Sequence, residues 1–147
     1  MKRRSIAQAT LWAFGILCLF IAVSTRPQPA HADGFITVNS TADSVGSDGA
    51  CTLREAIANA NDDAATYGDC AAGSGPDTIT FAPALANGVI NLSTIGDTTW
   101  GPSALRVDSA IILDGSSAPG LTLARVVSGS EMRLFFVAAT GNLTLRH

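Results

Sequence analysis

The stretch ACTLREAIANAND, residues 50–62, gathers the side chains with the most obvious chemistry. Arg54 beside Glu55 offers a base and an acid, Cys51 offers a thiol, and Asp43, Asp48, Asp62, Asp63, Asp69 and Asp77 surround the stretch with carboxylates. Three chemistries are open to such a set: acid–base catalysis, zinc binding and calcium binding. Neighbouring residues on a helix point in different directions, so Arg54 and Glu55 do not converge on one substrate atom. Zinc sites are commonly built from four Cys or His ligands, whereas beyond residue 32 the chain holds only Cys51, Cys70 and His147. The run NANDDAATYGDC (59–70) echoes a calcium loop, but Ala64 stands where the required Gly would be and Cys70 where the bidentate Glu would be. No catalytic residue and no metal ligand are assigned on this basis. The acidic side chains read as solvated turn and helix-end carboxylates; no cofactor is expected, a structural Ca²⁺ being the one such role these loops leave open.

The same residues spell out a helix. Thr52 precedes Glu55 by three positions, the spacing of a capping box in which each residue's side chain satisfies the other's free backbone N–H. Leu53, Ala56, Ile57 and Ala60 then recur on one face, which puts Arg54 and Glu55 at the side or towards solvent. Asn61-Asp62-Asp63 ends the pattern. A helix this short is marginal alone and must lay its apolar face on something. Weakening its capping box through Glu55→Ala is expected to cost only about 1 kcal/mol.

The first 32 residues read as a secretory signal peptide. Lys2, Arg3 and Arg4 make a basic start, Leu11 to Val23 is an unbroken apolar run, and Ala30-His31-Ala32 supplies small residues for cleavage between Ala32 and Asp33. The run is shorter than the roughly 20 residues of a membrane span, so no span is expected after cleavage. Lys2 argues against a twin-arginine signal, and Leu17 against a lipidated Cys18. Cleavage leaves five Arg, no Lys and twelve Asp and Glu, a formal net charge of −7. Phosphate backbones are held mainly by Lys and Arg, so a nucleic-acid partner is excluded. Cys51 and Cys70 remain as an even pair in an oxidising compartment, which predicts a disulfide worth about 3 kcal/mol through loop-closure entropy.

From Asp77 onward helix signals give way to short β-type runs: DTITFA (77–82), GVINLS (88–93), ALRV (104–107), AIILDG (110–115), LTLARV (121–126), LFFVA (134–138) and LTLR (143–146). Phe35-Ile36-Thr37-Val38 is an earlier run of the same type. Each is bounded by turn residues, a pattern that fits a sandwich, a barrel or a solenoid. Their loose likeness to one another favours stacked coils, and the open end of such a stack needs a cap. A disulfide-pinned amphipathic helix just ahead of the repeated strands suits that need.

Cys51-Thr52-Leu53-Arg54-Glu55-Ala56, followed by GPDTITFAP, resembles the CSLREA-motif family of secreted or surface-exposed bacterial proteins. Thr52 replaces the family's Ser and keeps its capping chemistry. The likeness covers most of residues 35–147; the motif around Cys51 is specific, the strand patterns generic. It implies an all-β fold, a right-handed parallel β-helix with a helical cap at its N-terminal end, in the style of polymorphic outer-membrane proteins and adhesins. The domains expected are a signal peptide (1–32), a cap (33–76) and first coils (77–147). Family members usually run through more coils, whereas this chain stops at GNLTLRH inside a strand, so a longer parent protein is expected.

The function expected is non-enzymatic: a secreted or surface-displayed structural or adhesion protein, its ligand unidentified and carbohydrate being one class open to it. The alternative is the N-terminal part of a β-helical lyase or glycoside hydrolase. Such enzymes need acid, base or metal-binding clusters on the coil surface. Asp97, Asp108, Asp114 and Glu131 with Arg106, Arg125 and Arg133 form no recognisable partner motif, and Asp114-Gly115 reads as a turn. Trp100, in TTWGPS, is either a sugar-stacking platform or, as favoured here, a loop residue packed over a coil. Asn39, Asn91 and Asn142 begin glycosylation sequons that matter only in a eukaryotic secretory pathway.

Overall fold

The computed structural model describes residues 34–126 and 131–147; the expected signal peptide and its expected cleavage site at Ala30, Ala32 and Asp33 lie outside them. The described chain is mostly β with one helix, and all its sheets are parallel. Eight strands appear: β1 (Gly34–Val38), β2 (Asp77–Phe81), β3 (Val89–Leu92), β4 (Ser103–Val107), β5 (Ala110–Asp114), β6 (Thr122–Arg125), β7 (Arg133–Val137) and β8 (Asn142–Arg146). Every run expected to be a strand is one, within a residue or two at each end. A single turn of 3-10 helix at Pro83–Leu85, unforeseen in the sequence, links β2 to β3.

The strands form three sheets, ordered β1-β2-β5-β8, β3-β6 and β4-β7. Among the described residues there is no closed barrel. Each sheet pairs a strand with one far ahead in the chain: Ile79 with Leu113, Ile90 with Leu123, Leu105 with Phe135, and Leu113 in turn with Leu145. Beyond β1 these partners recur roughly 30–34 residues apart, within the range of repeat architectures. Successive strands therefore go to successive sheets and then start again.

Alternation decides what is buried. Ile36 and Val38 of β1, Ile79 and Phe81 of β2, Ile90 and Leu92 of β3, and Leu105 and Val107 of β4 all turn inward to one core. Ile36, Ile79, Leu113 and Leu145 stand at matching register positions across the four-stranded sheet. The first two are fully buried and Leu113 nearly so, whereas Leu145 is 62% exposed. Beside β8 an apolar recess of about 640 Å³ opens between Leu113, Leu121, Leu123 and Leu145.

The helix, α1 (Leu53–Asp62), packs against β1, β2, β4 and β5. Its predicted face, Leu53, Ala56, Ile57 and Ala60, is buried. Thr52 is the N-cap, and both halves of the capping box are made. Asp63 closes the helix in the left-handed conformation, its N–H bonding to the Asn59 carbonyl. Cys51 and Cys70 form the expected disulfide, tying the residue before the N-cap to the loop after the helix. Among the described residues no helix is long and apolar enough to cross a membrane.

Candidate functional site

The chemistry-bearing residues of the CTLREA stretch are built into joints. Glu55 is not turned to solvent as its spacing suggested: it is 1% exposed. Its carboxylate accepts the backbone N–H of Thr52 (3.0 Å), the Thr52 hydroxyl (3.1 Å) and, from outside the helix, the N–H of Gly46 (2.8 Å). The third bond explains the correction. The loop before the helix folds back over Glu55, and helical periodicity carries no information about that loop.

Arg54 is likewise largely buried and has a partner on each side. Its Nε and Nη2 donate to Asp43 Oδ1 at 2.9 and 2.6 Å, Nη1 donates to the Ala104 carbonyl at 2.7 Å, and Nη2 also reaches the Thr94 carbonyl at 2.9 Å. Asp43 Oδ2 accepts the backbone N–H groups of Ser93 (2.7 Å) and Thr94 (2.8 Å). Burial alone would raise the Asp43 carboxyl, but the two amides and the Arg54 guanidinium together hold it below its ordinary range. Gly96 makes room for this cluster, since a Cβ there would collide with the Ala104 carbonyl and crowd Arg54 Nη1.

Two asparagines on the same helix act similarly. Asn59, fully buried, donates to the carbonyls of Tyr67 and Ala71, both at 2.9 Å, and accepts the Tyr67 N–H at 2.8 Å. Asn61 donates to the Arg106 carbonyl at 2.9 Å and accepts the Asp108 N–H at 2.8 Å. Arg54, Glu55, Asn59 and Asn61 each spend hydrogen bonds on backbone groups outside the helix, Arg54 also pairing with Asp43.

The acidic residues around the helix do not converge either. Asp69 accepts the N–H groups of Asp48 and Gly49, Asp63 that of Gly75, and Asp62 the Thr66 hydroxyl. Asp77 is buried and accepts the Ser74 N–H, and Asp43 is the arginine partner described above. Asp43 and Asp77 are therefore not the solvated carboxylates expected. Among the described residues no group of three or more His, Cys, Asp or Glu side chains is arranged to hold a metal ion.

A second polar cluster lies on the β4-β7 sheet. Arg106 Nε binds Asp108 at 2.8–2.9 Å, and its Nη1 reaches Asp97 and the Thr99 hydroxyl, both at 3.2 Å. The Thr99 hydroxyl, aided by Arg106 and the Thr99 N–H, overcomes the effect of burial and keeps the Asp97 carboxyl low. Asp108, with Asp97 also contributing, raises the already high pKa of Arg106. The Phe136 ring lies within cation–π reach of two guanidinium groups, Arg106 at 5.8 Å and Arg133 at 5.9 Å. The turn before β4 carries Trp100, which is 74% exposed rather than packed over the sheet. Asp114 accepts the Ser116 N–H in the turn its sequence predicted, and the Ser116 hydroxyl together with that N–H lowers its carboxyl.

No protein-family model matches this chain, and neither a curated protein nor a solved structure matches it.

Proposed function

We propose that this chain is an exported, surface-displayed structural protein of the adhesion type: a right-handed parallel β-helix whose N-terminal end is covered by the disulfide-pinned helix, as its likeness to the CSLREA-motif proteins implies. The observation that carries this reading is the recurring register. Three parallel sheets take one strand each in turn, and apolar side chains stand at matching positions from one pass to the next. Parallel strands joined by crossovers in one sheet are right-handed in nearly all proteins, which supports the handedness. The fate of Arg54, Glu55, Asn59 and Asn61 supports a scaffold over a catalyst, because each is engaged with backbone that joins the helix to a loop or strand. The enzyme alternative has less in its favour, since Asp97 and Asp108 both pair with Arg106.

The test is made on the producing cells. Export with cleavage after Ala32 predicts a non-reduced mass lacking two hydrogens for the Cys51–Cys70 bond, and protein that protease added to intact cells removes. Retention in the cytoplasm with reduced cysteines overturns the reading. So does release of reducing ends or unsaturated sugars from a polysaccharide panel by the purified protein.

A further inference from the structure

Among the described residues Trp100 is the most exposed of the large apolar side chains, yet the backbone that carries it is firmly held. Asp97 and Ser103 exchange backbone bonds at 3.0 and 2.9 Å, closing the turn. The Asp97 carboxylate accepts the Thr99 N–H and hydroxyl, and Gly101 takes the positive φ of +94° that the reversal needs. From β7, Arg133 Nη2 donates to the carbonyls of Trp100 (2.6 Å) and Gly101 (3.0 Å). An indole mounted on so constrained a turn loses little backbone freedom on binding, which is the advantage of a preorganised contact surface.

Trp100 borders an open recess of about 580 Å³, a size typical of small-ligand sites. Pro102 and Met132 add apolar surface, while Arg125, Glu131 and Arg133 bring charge. Arg133 differs from Arg54 and Arg106 in one respect. Those two are paired with carboxylates, whereas among the described residues Arg133 forms no salt bridge and contacts carbonyls and the Phe136 ring.

We propose that this recess binds an acidic oligosaccharide. The C–H face of one pyranose ring lies on the Trp100 indole, its carboxylate pairs with Arg133, and Glu131 accepts hydrogen bonds from ring hydroxyls. A sugar ring has an apolar face and a polar rim, which match a flat exposed aromatic beside two cations and one anion. The inference rests on the geometry of the turn and not on the reading of the chain as surface-displayed, so either can fail alone.

The experiment is a fluorescence titration of the full chain carrying Trp12→Phe, which leaves Trp100 as the sole tryptophan. The probes are a galacturonic acid trimer and, as its neutral counterpart, a galactose trimer. The acidic trimer is expected to change Trp100 emission saturably and to bind at least about ten-fold more tightly than the neutral one, a difference of about 1.4 kcal/mol. Followed by calorimetry, Trp100→Ala should abolish binding with its melting temperature unchanged, and Arg133→Gln should erase the preference for the acidic sugar. If Arg133→Gln loosens the turn, Arg133→Lys keeps the charge and should retain the preference. No saturable response to either trimer, or unaltered binding by Trp100→Ala, overturns the proposal. Equal affinity for both trimers overturns the acidic assignment, and, with a glutamate-rich peptide as a third probe, a response to that peptide alone overturns the sugar assignment and makes the recess a protein-binding face instead.

Discussion

Arg54 Nη2 lies 2.6 Å from Asp43 Oδ1, and the other oxygen of that carboxylate receives two backbone N–H groups from the far end of β3. One ion pair thus fastens the helix, the loop before it and the β3–β4 connection. Breaking such a pair by removing one member leaves the other charge and several backbone groups without partners in a shielded place. Asp43→Asn is expected to lower stability by about 2 kcal/mol, read as a shift of the urea midpoint. Arg54→Lys should also destabilise, because an ammonium cannot reproduce the fork that spans Asp43 and two carbonyls.

The same pair sets a pH dependence. The Asp43 carboxyl is lower in the folded chain than in the unfolded one, so the unfolded state takes up the proton first as pH falls. Its contribution is fully present above the ordinary carboxylate range, near pH 4, and is lost as pH drops through the lowered folded value. Urea midpoints from pH 6 down to pH 2.5 should therefore fall less steeply for Asp43→Asn than for the natural chain. Parallel profiles would contradict this.

Glu55→Ala should cost more than a weakened capping box. Capping alone is worth about 1 kcal/mol, but the substitution also strands the Gly46 N–H under the folded-back loop. A loss of about 2–3 kcal/mol is expected, with Glu55→Gln intermediate because one oxygen remains as an acceptor. Denaturant melts of both variants check the order.

Cys51→Ser or Cys70→Ser should reduce stability by about 3 kcal/mol. The disulfide joins positions 19 apart in the sequence, and the loop it closes contains all of α1. Reduction of the natural chain should reproduce the loss, and an unchanged melting temperature would argue that packing alone holds the helix.

Gly73→Ala is expected to destabilise by about 2 kcal/mol through overpacking. A Cβ at this position would collide with the Asn59 carbonyl and the Ala60 Cα, where the loop after the helix passes tightly over it. Gly46→Ala, with open space around it, serves as the control and should leave the urea midpoint in place.

Local order was written plainly in the amino-acid sequence. Thr52 and Glu55 at the capping-box spacing, the Leu53, Ala56, Ile57, Ala60 face and the turn at Asp114 follow from contacts within a few residues, and the positions of the described strands from local apolar runs bounded by turn residues. The Cys51–Cys70 pairing was legible because only two cysteines lie beyond residue 32. What tertiary structure alone decided were the partners brought from afar. Arg54 meets the Ala104 carbonyl and Asn61 the Asp108 N–H because β4 and β5 pass beside the helix, and no periodicity encodes which backbone groups a folded chain lays alongside a side chain. Glu55 is buried by a loop and Trp100 is left in solvent by a turn, two outcomes set by chain reversals whose path depends on everything they pack against. Parallel register is of the same kind: Ile79 opposite Leu113 is a long-range choice made by the shared core, since every short apolar run could in principle pair with several others.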